Sequence, residues 1–264
     1  MKKYIGLITD FGTKDYFVGV LKGVIKKINP EVEIFDIAHG ITSHYLYSAS
    51  FIAEKNFSYF PDGTIFLIVV DPGVGTDRNI ILVSYDKYYF IAPDNGVLTP
   101  FLSKEDKVVR IIDADHYFLS KEGSTFEARD KMAPIAAYLS KGIEPIRLAT
   151  ETEEYIIDND YYPKIKGANK IEGKIIYIDK FGNIITNFPR EYIFSSMSAS
   201  SFTKFGLSIN GQEIKEFVKV YEQGKTSPFM LFGSHGNLEI AMKKKPAYKF
   251  LKVGLNQPVE LTFY

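Results

Sequence analysis

Three apolar runs in the first hundred residues end directly on an acidic side chain. The junctions are Thr9-Asp10-Phe11-Gly12, Val70-Asp71-Pro72-Gly73 and Pro93-Asp94-Asn95-Gly96. A carboxylate at such a place can hold ribose-type hydroxyls, orient a water or take its proton. In an open α/β sheet the carboxyl ends of the strands border the ligand crevice, so Asp10, Asp71 and Asp94 are expected to converge on one pocket. Each of them taken alone is as well explained as a helix cap or a turn former. Arg78, downstream in Gly73-Val74-Gly75-Thr76-Asp77-Arg78, either folds back to hold the Asp71 carboxylate beside a ligand or makes a plain structural ion pair.

A second group lies in the other half of the chain. Asp179-Lys180-Phe181-Gly182-Asn183 offers a carboxylate, an aromatic face and an amide on one loop. That set suits a purine with a charged tail, stacked on Phe181, bonded by Asn183 and met by Asp179 at an ammonium. The competing reading is a hairpin loop whose Phe181 covers the end of a barrel. Gly233-Ser234-His235-Gly236 is a further polar loop that composition alone assigns to an ordinary turn.

Several other chemistries fail on spacing. The Gly73-x-Gly75 pair has Arg78 where a dinucleotide fingerprint needs a third small residue, and Gly224-Lys225-Thr226 has Lys219 in place of the first phosphate-loop glycine. There is no Cys, which removes thiolate catalysis and disulfides. The four histidines show no zinc spacing, so no metal and no cofactor is expected. No Gly-x-Ser-x-Gly elbow supports an α/β hydrolase.

The elements that must carry these groups follow from periodicity. Up to about Gly142, short β-branched runs alternate with amphipathic stretches, which predicts an α/β domain with a mostly parallel sheet. Expected strands are 4–9, 32–35, 64–70, 80–84, 89–92 and 108–112, and expected helices are 15–27, 46–56 and 130–139. Residues 151–170 show neither period and are expected to link this domain, 1–150, to a smaller antiparallel β-barrel domain, 171–264. Strands there are expected at 171–178, 184–187, 206–209, 213–220, 238–242 and 259–263, with Asn210-Gly211 as a hairpin turn.

The 264 residues carry 32 basic and 32 acidic side chains, a formal net charge of +0. No bulk field draws such a chain to nucleic acid or anionic lipid, and the N-terminal apolar run is too short for a signal or a span. A soluble cytoplasmic protein with a small-molecule substrate is expected.

Taken in order, Ile8-Thr9-Asp10-Phe11-Gly12, Val70-Asp71-Pro72-Gly73-Val74-Gly75, Ala92-Pro93-Asp94-Asn95-Gly96, Thr125-Phe126, Arg129-Asp130, Asp179-Lys180-Phe181-Gly182-Asn183 and Gly233-Ser234 resemble the S-adenosyl-L-methionine (SAM) hydroxide adenosyltransferase family, relatives of the fluorinase and chlorinase. The resemblance covers nearly the whole chain. It implies a homotrimer whose substrate lies between the N-terminal domain of one subunit and the C-terminal domain of its neighbour. It also implies hydrolysis of SAM to adenosine and methionine. By that similarity Asp10 holds the ribose hydroxyls, with Phe11, Asp94 and Asn95 as further substrate contacts. Phe181 and Tyr221 flank the adenine and Asn183 meets its edge. Asp179 and Ser234 take the methionine ends, with Glu239 beside them. The family's water-handling Asp and Arg correspond to Asp71 and Arg78, but its histidine is replaced by Glu127.

The implied step is displacement at the ribose 5′ carbon by water, with a sulfonium that leaves as a neutral thioether and needs no acid. The protein must place that water about 3–3.5 Å from the carbon and accept its proton. Asp71 is expected to orient or deprotonate it and Arg78 to fix Asp71. Glu127 either acts as a second acceptor, with two close carboxylates raising one pKa, or merely pairs with Arg78 or Arg129. A halogenase and a non-catalytic adenosine or SAM binder are the rival readings. Asp71 would repel an incoming halide, and the fluorinase has Tyr at that place and a long insertion absent from 78–91.

Overall fold

The computed structural model describes residues 3–120, 125–200 and 202–264, with no side-chain description at 199 and 200. The chain forms two compact units, Met1–Asp158 and Asn159–Tyr264. In the first, the elements in chain order are β1 (Tyr4–Thr9), α1 (Phe17–Ile28), β2 (Glu33–Ala38), α2 (Leu46–Asn56), β3 (Ile65–Val69), β4 (Ile80–Tyr85), β5 (Tyr88–Pro93), α3 (Thr99–Leu102), β6 (Lys107–Ile112), α4 (Ala133–Ser140) and β7 (Ala149–Glu151). The strands make one sheet in the order β2-β1-β3-β5-β4-β6-β7.

That sheet is mixed. β1 runs parallel to β2 and β3, and β3 to β5, whereas β4 is antiparallel to β5 and β6, and β6 to β7. The physical reason is the short β4–β5 connection, Asp86-Lys87, which can close a hairpin but cannot carry a crossover helix. The three expected helices are present, the third beginning as a π-helical turn at Ala128–Met132 before α4. α1 turns Val18, Leu21 and Ile25 inward, where they join a core built from β1, β3 and α4.

The second unit contains β8 (Lys164–Gly167), β9 (Lys170–Ile178), β10 (Ile184–Pro189), α5 (Arg190–Ser200), β11 (Phe205–Ile209), β12 (Gln212–Ile214), β13 (Phe229–Phe232), β14 (Asn237–Ala241), α6 (Ala247–Leu251) and β15 (Pro258–Phe263). Its antiparallel order is β12-β11-β15-β9-β10-β14-β13, with β8 added on β9. The long β9 pairs with β15 along 170–174 and with β10 along 175–178, so it curls the sheet around one apolar core. The result is barrel-like: among the described residues the isolated bridge Phe217–Met230 joins the chain just past β12 to the other terminal strand, β13. Asn210 and Gly211, at φ 48° and 74°, make the expected two-residue turn. The expected strand 213–220 is shorter, because pairing with β11 stops at Ile214.

Residues 151–170 contain the end of β7, a 3₁₀ turn at Asn159–Tyr161 and β8. Side-chain bonds order the polar stretch before Asn159: Tyr47 donates to Asp158, and Thr99 accepts from the Asp158 amide. Among the described residues no helix is long and apolar enough to cross a membrane.

Candidate active site

In the first unit, β1 and β3 are parallel neighbours with Thr9 opposite Val69. The residues that follow each strand therefore emerge side by side. Asp10 and Asp71 consequently line one cavity of about 330 Å³, together with Phe11, Phe17, His44 and Phe126. Phe11, Phe17 and Phe126 pack ring against ring, with centroids 5.3 to 5.7 Å apart. Asp10 Oδ2 accepts the amide of His44 at 2.9 Å, which binds the start of α2 to the end of β1.

The third strand-end acid behaves differently. Asp94 follows β5 but is buried, with Oδ1 accepting the Ile156 amide at 2.9 Å, and it does not line the cavity. Burial raises its pKa, and the Ile156 bond offsets this only in part. Asn95 donates to the Val70 carbonyl and accepts from the Val97 amide, so it braces the end of β3. The expected convergence of three carboxylates is thus corrected to two, because the Ile156 amide binds the Asp94 carboxylate away from the cavity lining.

Arg78 does fold back on Asp71. Its Nε donates to Asp71 Oδ1 at 2.7 Å and its Nη2 to Asp71 Oδ2, a two-pronged grip on the carboxylate. The same Nη2 donates to Glu127 Oε2 at 2.7 Å. Glu127 also receives the Gly75 amide at 3.3 Å and Lys131 Nζ at 2.5 Å. Gly75, at φ 80°, takes the left-handed conformation that its position requires. Burial would raise Glu127, but its bonds from Lys131 and Arg78 outweigh that and hold it below the usual carboxylate range. At Glu127 the two cations thus act against the upward shift that two close carboxylates would give. Glu127 pairs with Arg78, while Arg129 grips Asp130 instead.

The second unit has its own cavity of about 590 Å³, bordered by Asp179, Phe181, Asn183, Tyr221 and the Lys243–Pro246 turn. Here the Asp179 carboxylate organises its loop. Oδ1 accepts the amides of Phe181 and Asn183 at 2.9 and 2.8 Å, and Oδ2 accepts Asn183 Nδ2 at 2.9 Å. The loop presents Phe181 at 78% exposure, a large apolar ring facing outward. Tyr221 donates to Glu239 Oε1 at 2.5 Å, and burial together with that carboxylate pushes its phenol up. Glu239 is buried behind Tyr221, with His235 Nε2 3.4 Å from its other oxygen. Ser234 is exposed on the β13–β14 turn.

Asp10, Phe11, Asp71 and Glu127 thus share one cavity, and Asp179, Phe181, Asn183 and Tyr221 another. Phe17, Ser43 and His44 also border the first, and Lys131 ties into its charge cluster. They carry no motif, and only the packing of α1 and the chain before α2 against the strand ends places them. Among the described residues no three His, Asp or Glu side chains are grouped to hold a metal ion.

A mixed α/β unit with a clamped carboxylate at its strand ends, followed by an antiparallel unit with an aromatic-lined cavity, defines a two-domain protein built to hold a small organic molecule. The chain belongs to the SAM hydroxide adenosyltransferase family. Residues 5–149 match that family's N-terminal domain and 173–260 its C-terminal domain. It is 32% identical over 273 residues to an (R)-S-adenosyl-L-methionine hydrolase of Methanocaldococcus jannaschii, covering 98% of this chain and 95% of that one. A protein of the same name from Thermus thermophilus is 28% identical over 96% of this chain and 97% of its own. A fluorinase of an Actinoplanes species is 25% identical over 97% and 96%. The crystal structure of an uncharacterised conserved protein from Thermotoga maritima superposes with a TM-score of 0.85 at 33% identity, covering 98% of this chain and 99% of the other.

Proposed function

We propose that this chain hydrolyses S-adenosyl-L-methionine to adenosine and L-methionine by attack of water on the ribose 5′ carbon. The observation that carries the reading is the Asp71 carboxylate, gripped by Arg78 and lining a cavity beside Asp10, in a chain whose two halves match the two domains of one family. Relatives at 28–32% identity named as SAM hydrolases support it.

Asp71 accepts the attacking water's proton or orients its lone pair toward the carbon. A carboxylate retains acceptor capacity after taking two guanidinium bonds, because its two oxygens offer about four lone-pair sites. Arg78 fixes the direction of that carboxylate, and Glu127 fixes Arg78. Asp10 takes the ribose hydroxyls. Phe181 and Tyr221 stack on the adenine, and Asn183, whose amide nitrogen is held by Asp179, turns its carbonyl oxygen toward the exocyclic amine. No cofactor takes part.

The family membership supports a homotrimer in which each substrate is shared between subunits, one taking it in the acidic cavity and its neighbour in the aromatic one. Light scattering that finds a monomer would remove this part of the proposal. For the reaction, the purified protein is incubated with SAM with and without chloride, and the products are separated by chromatography. Adenosine plus methionine is expected under both conditions. A 5′-chlorinated nucleoside would favour a halogenase, and intact SAM with retained binding would favour a non-catalytic receptor. The Asp71 carboxylate on the cavity wall speaks against the first, because it repels an incoming anion.

A further inference from the structure

The Asp71, Arg78 and Glu127 side chains are only 8%, 9% and 6% exposed. Two carboxylates against one guanidinium leave a net negative charge on side chains largely withdrawn from bulk solvent, and an unbalanced buried charge is costly. Lys131 supplies the balance. It sits one turn beyond Glu127, on the π-helical segment Ala128–Met132, and its Nζ meets Glu127 Oε1 at 2.5 Å while Arg78 takes Oε2. The two cations thus divide the two oxygens of one carboxylate between them.

We propose that Lys131 is a positioning residue: by closing the charge balance on Glu127, it keeps Arg78 aimed at Asp71. This deepens the SAM hydrolase reading and rests on it. Glu127 answers to every charged group around it. Asp71 follows β3, Arg78 precedes β4, and Lys131 lies on its own segment, while Asp10 and His44 line the same cavity. Arg129 and Asp130 pair with each other. Without Lys131, Arg78 serves two carboxylates in a net anionic pocket, and Glu127 is the one left with a single cation. It then takes a proton at a higher pH. Once neutral it releases its charge-assisted bond, and Arg78 loses its second anchor. The depressed pKa of Glu127, with Lys131 its leading favourable partner, agrees with this.

The test compares the full-length chain with Lys131→Met, Lys131→Gln and Lys131→Arg. Side-chain carboxyl carbons are titrated by NMR, with the Glu127 signal assigned by its absence from Glu127→Gln. The pH profile of kcat/KM for adenosine release is measured in parallel. In the Met and Gln variants the Glu127 titration is expected to move upward and the acid limb of the profile to move with it. Activity there should fall roughly tenfold at the acid end, the size of a one-unit shift, with the alkaline plateau near wild type. Arg restores both. An unchanged Glu127 titration overturns the proposal, as does a shifted titration with an unmoved acid limb. A uniform loss at every pH also overturns it, since that is the signature of a merely structural contact. If the wild-type chain releases no adenosine, the hydrolase reading fails separately, and the NMR arm alone decides whether Lys131 governs Glu127.

Discussion

Arg78 Nη2 lies 2.7 Å from Glu127 Oε2, although 49 positions separate the two residues in sequence. Through this bond the segment before α4 determines where the guanidinium points, and the guanidinium in turn holds Asp71. The cavity wall is therefore a chain of charges in which each member orients the next. Disturbing any link should be felt at the Asp71 carboxylate on the cavity wall.

Replacing Arg78 by lysine keeps the charge but loses the fork that spans Asp71 and Glu127. Activity for adenosine release should drop by about 10²-fold or more, the scale of a displaced acid–base group. KM should change far less, because the guanidinium acts on Asp71 rather than on the bulk of the substrate. Steady-state kinetics separates the two, and a wild-type kcat would refute this role.

Glu127→Gln should destabilise the fold and flatten its response to acid. Its ammonium, guanidinium and amide donors then converge on a group with a single acceptor oxygen, costing about 1–3 kcal/mol at neutral pH. Because the folded pKa of Glu127 is depressed, its stabilising contribution is complete above the ordinary glutamate range and is lost as the pH falls through the lowered value. Thermal unfolding should separate variant from wild type at pH 7, and the gap should begin to narrow once the pH falls below the ordinary glutamate range, about 4. A gap that widened on acidification would contradict the assignment.

Phe181→Ala should weaken binding while leaving stability nearly untouched. At 78% exposure the ring contributes little to the core. Its loss should cost about 1–3 kcal/mol of stacking, or roughly five- to 150-fold in affinity. Calorimetric titration with adenosine reads the affinity and melting reads the stability. Equal adenosine affinity in the two proteins would remove Phe181 from the site.

Gly182→Ala should cost stability as well as binding. Gly182 has φ 87°, and an added Cβ would approach Pro246 Cα to 2.7 Å and collide with Pro246 Cβ. Left-handed strain alone costs about 1–2 kcal/mol, and the backbone clash adds to it. A clear fall in melting temperature is expected, together with weaker binding as the Asp179–Asn183 loop shifts Phe181. Unaltered melting would mean that the turn tolerates a side chain.

Much of the candidate site was legible before folding was considered. Asp10 and Asp71 follow apolar strand runs, and because those strands become parallel neighbours their ends must emerge together. Asp94 carries the same local signal yet turns away. Its partner, the Ile156 amide, lies 62 positions downstream in a stretch without periodicity. Among the elements, β13 was missed because the four apolar residues Phe229–Phe232 are too few to show a period. α5 was missed because its mixed run of serine, aromatic and charged residues has no continuous apolar stripe.

The amino-acid order alone determined the longer apolar strands of the first unit, that Asn210-Gly211 turns a hairpin, and which acids stand at strand ends, since these follow from side-chain period and backbone preference within a few residues. The identity of residue 127 as a glutamate was equally plain. Only the tertiary structure decided which groups that glutamate meets. Whether a carboxylate acts as a base or as an anchor depends on the cations within hydrogen-bonding distance, and Arg78 and Lys131 reach Glu127 together only once the loop after β3 packs against the turn before α4.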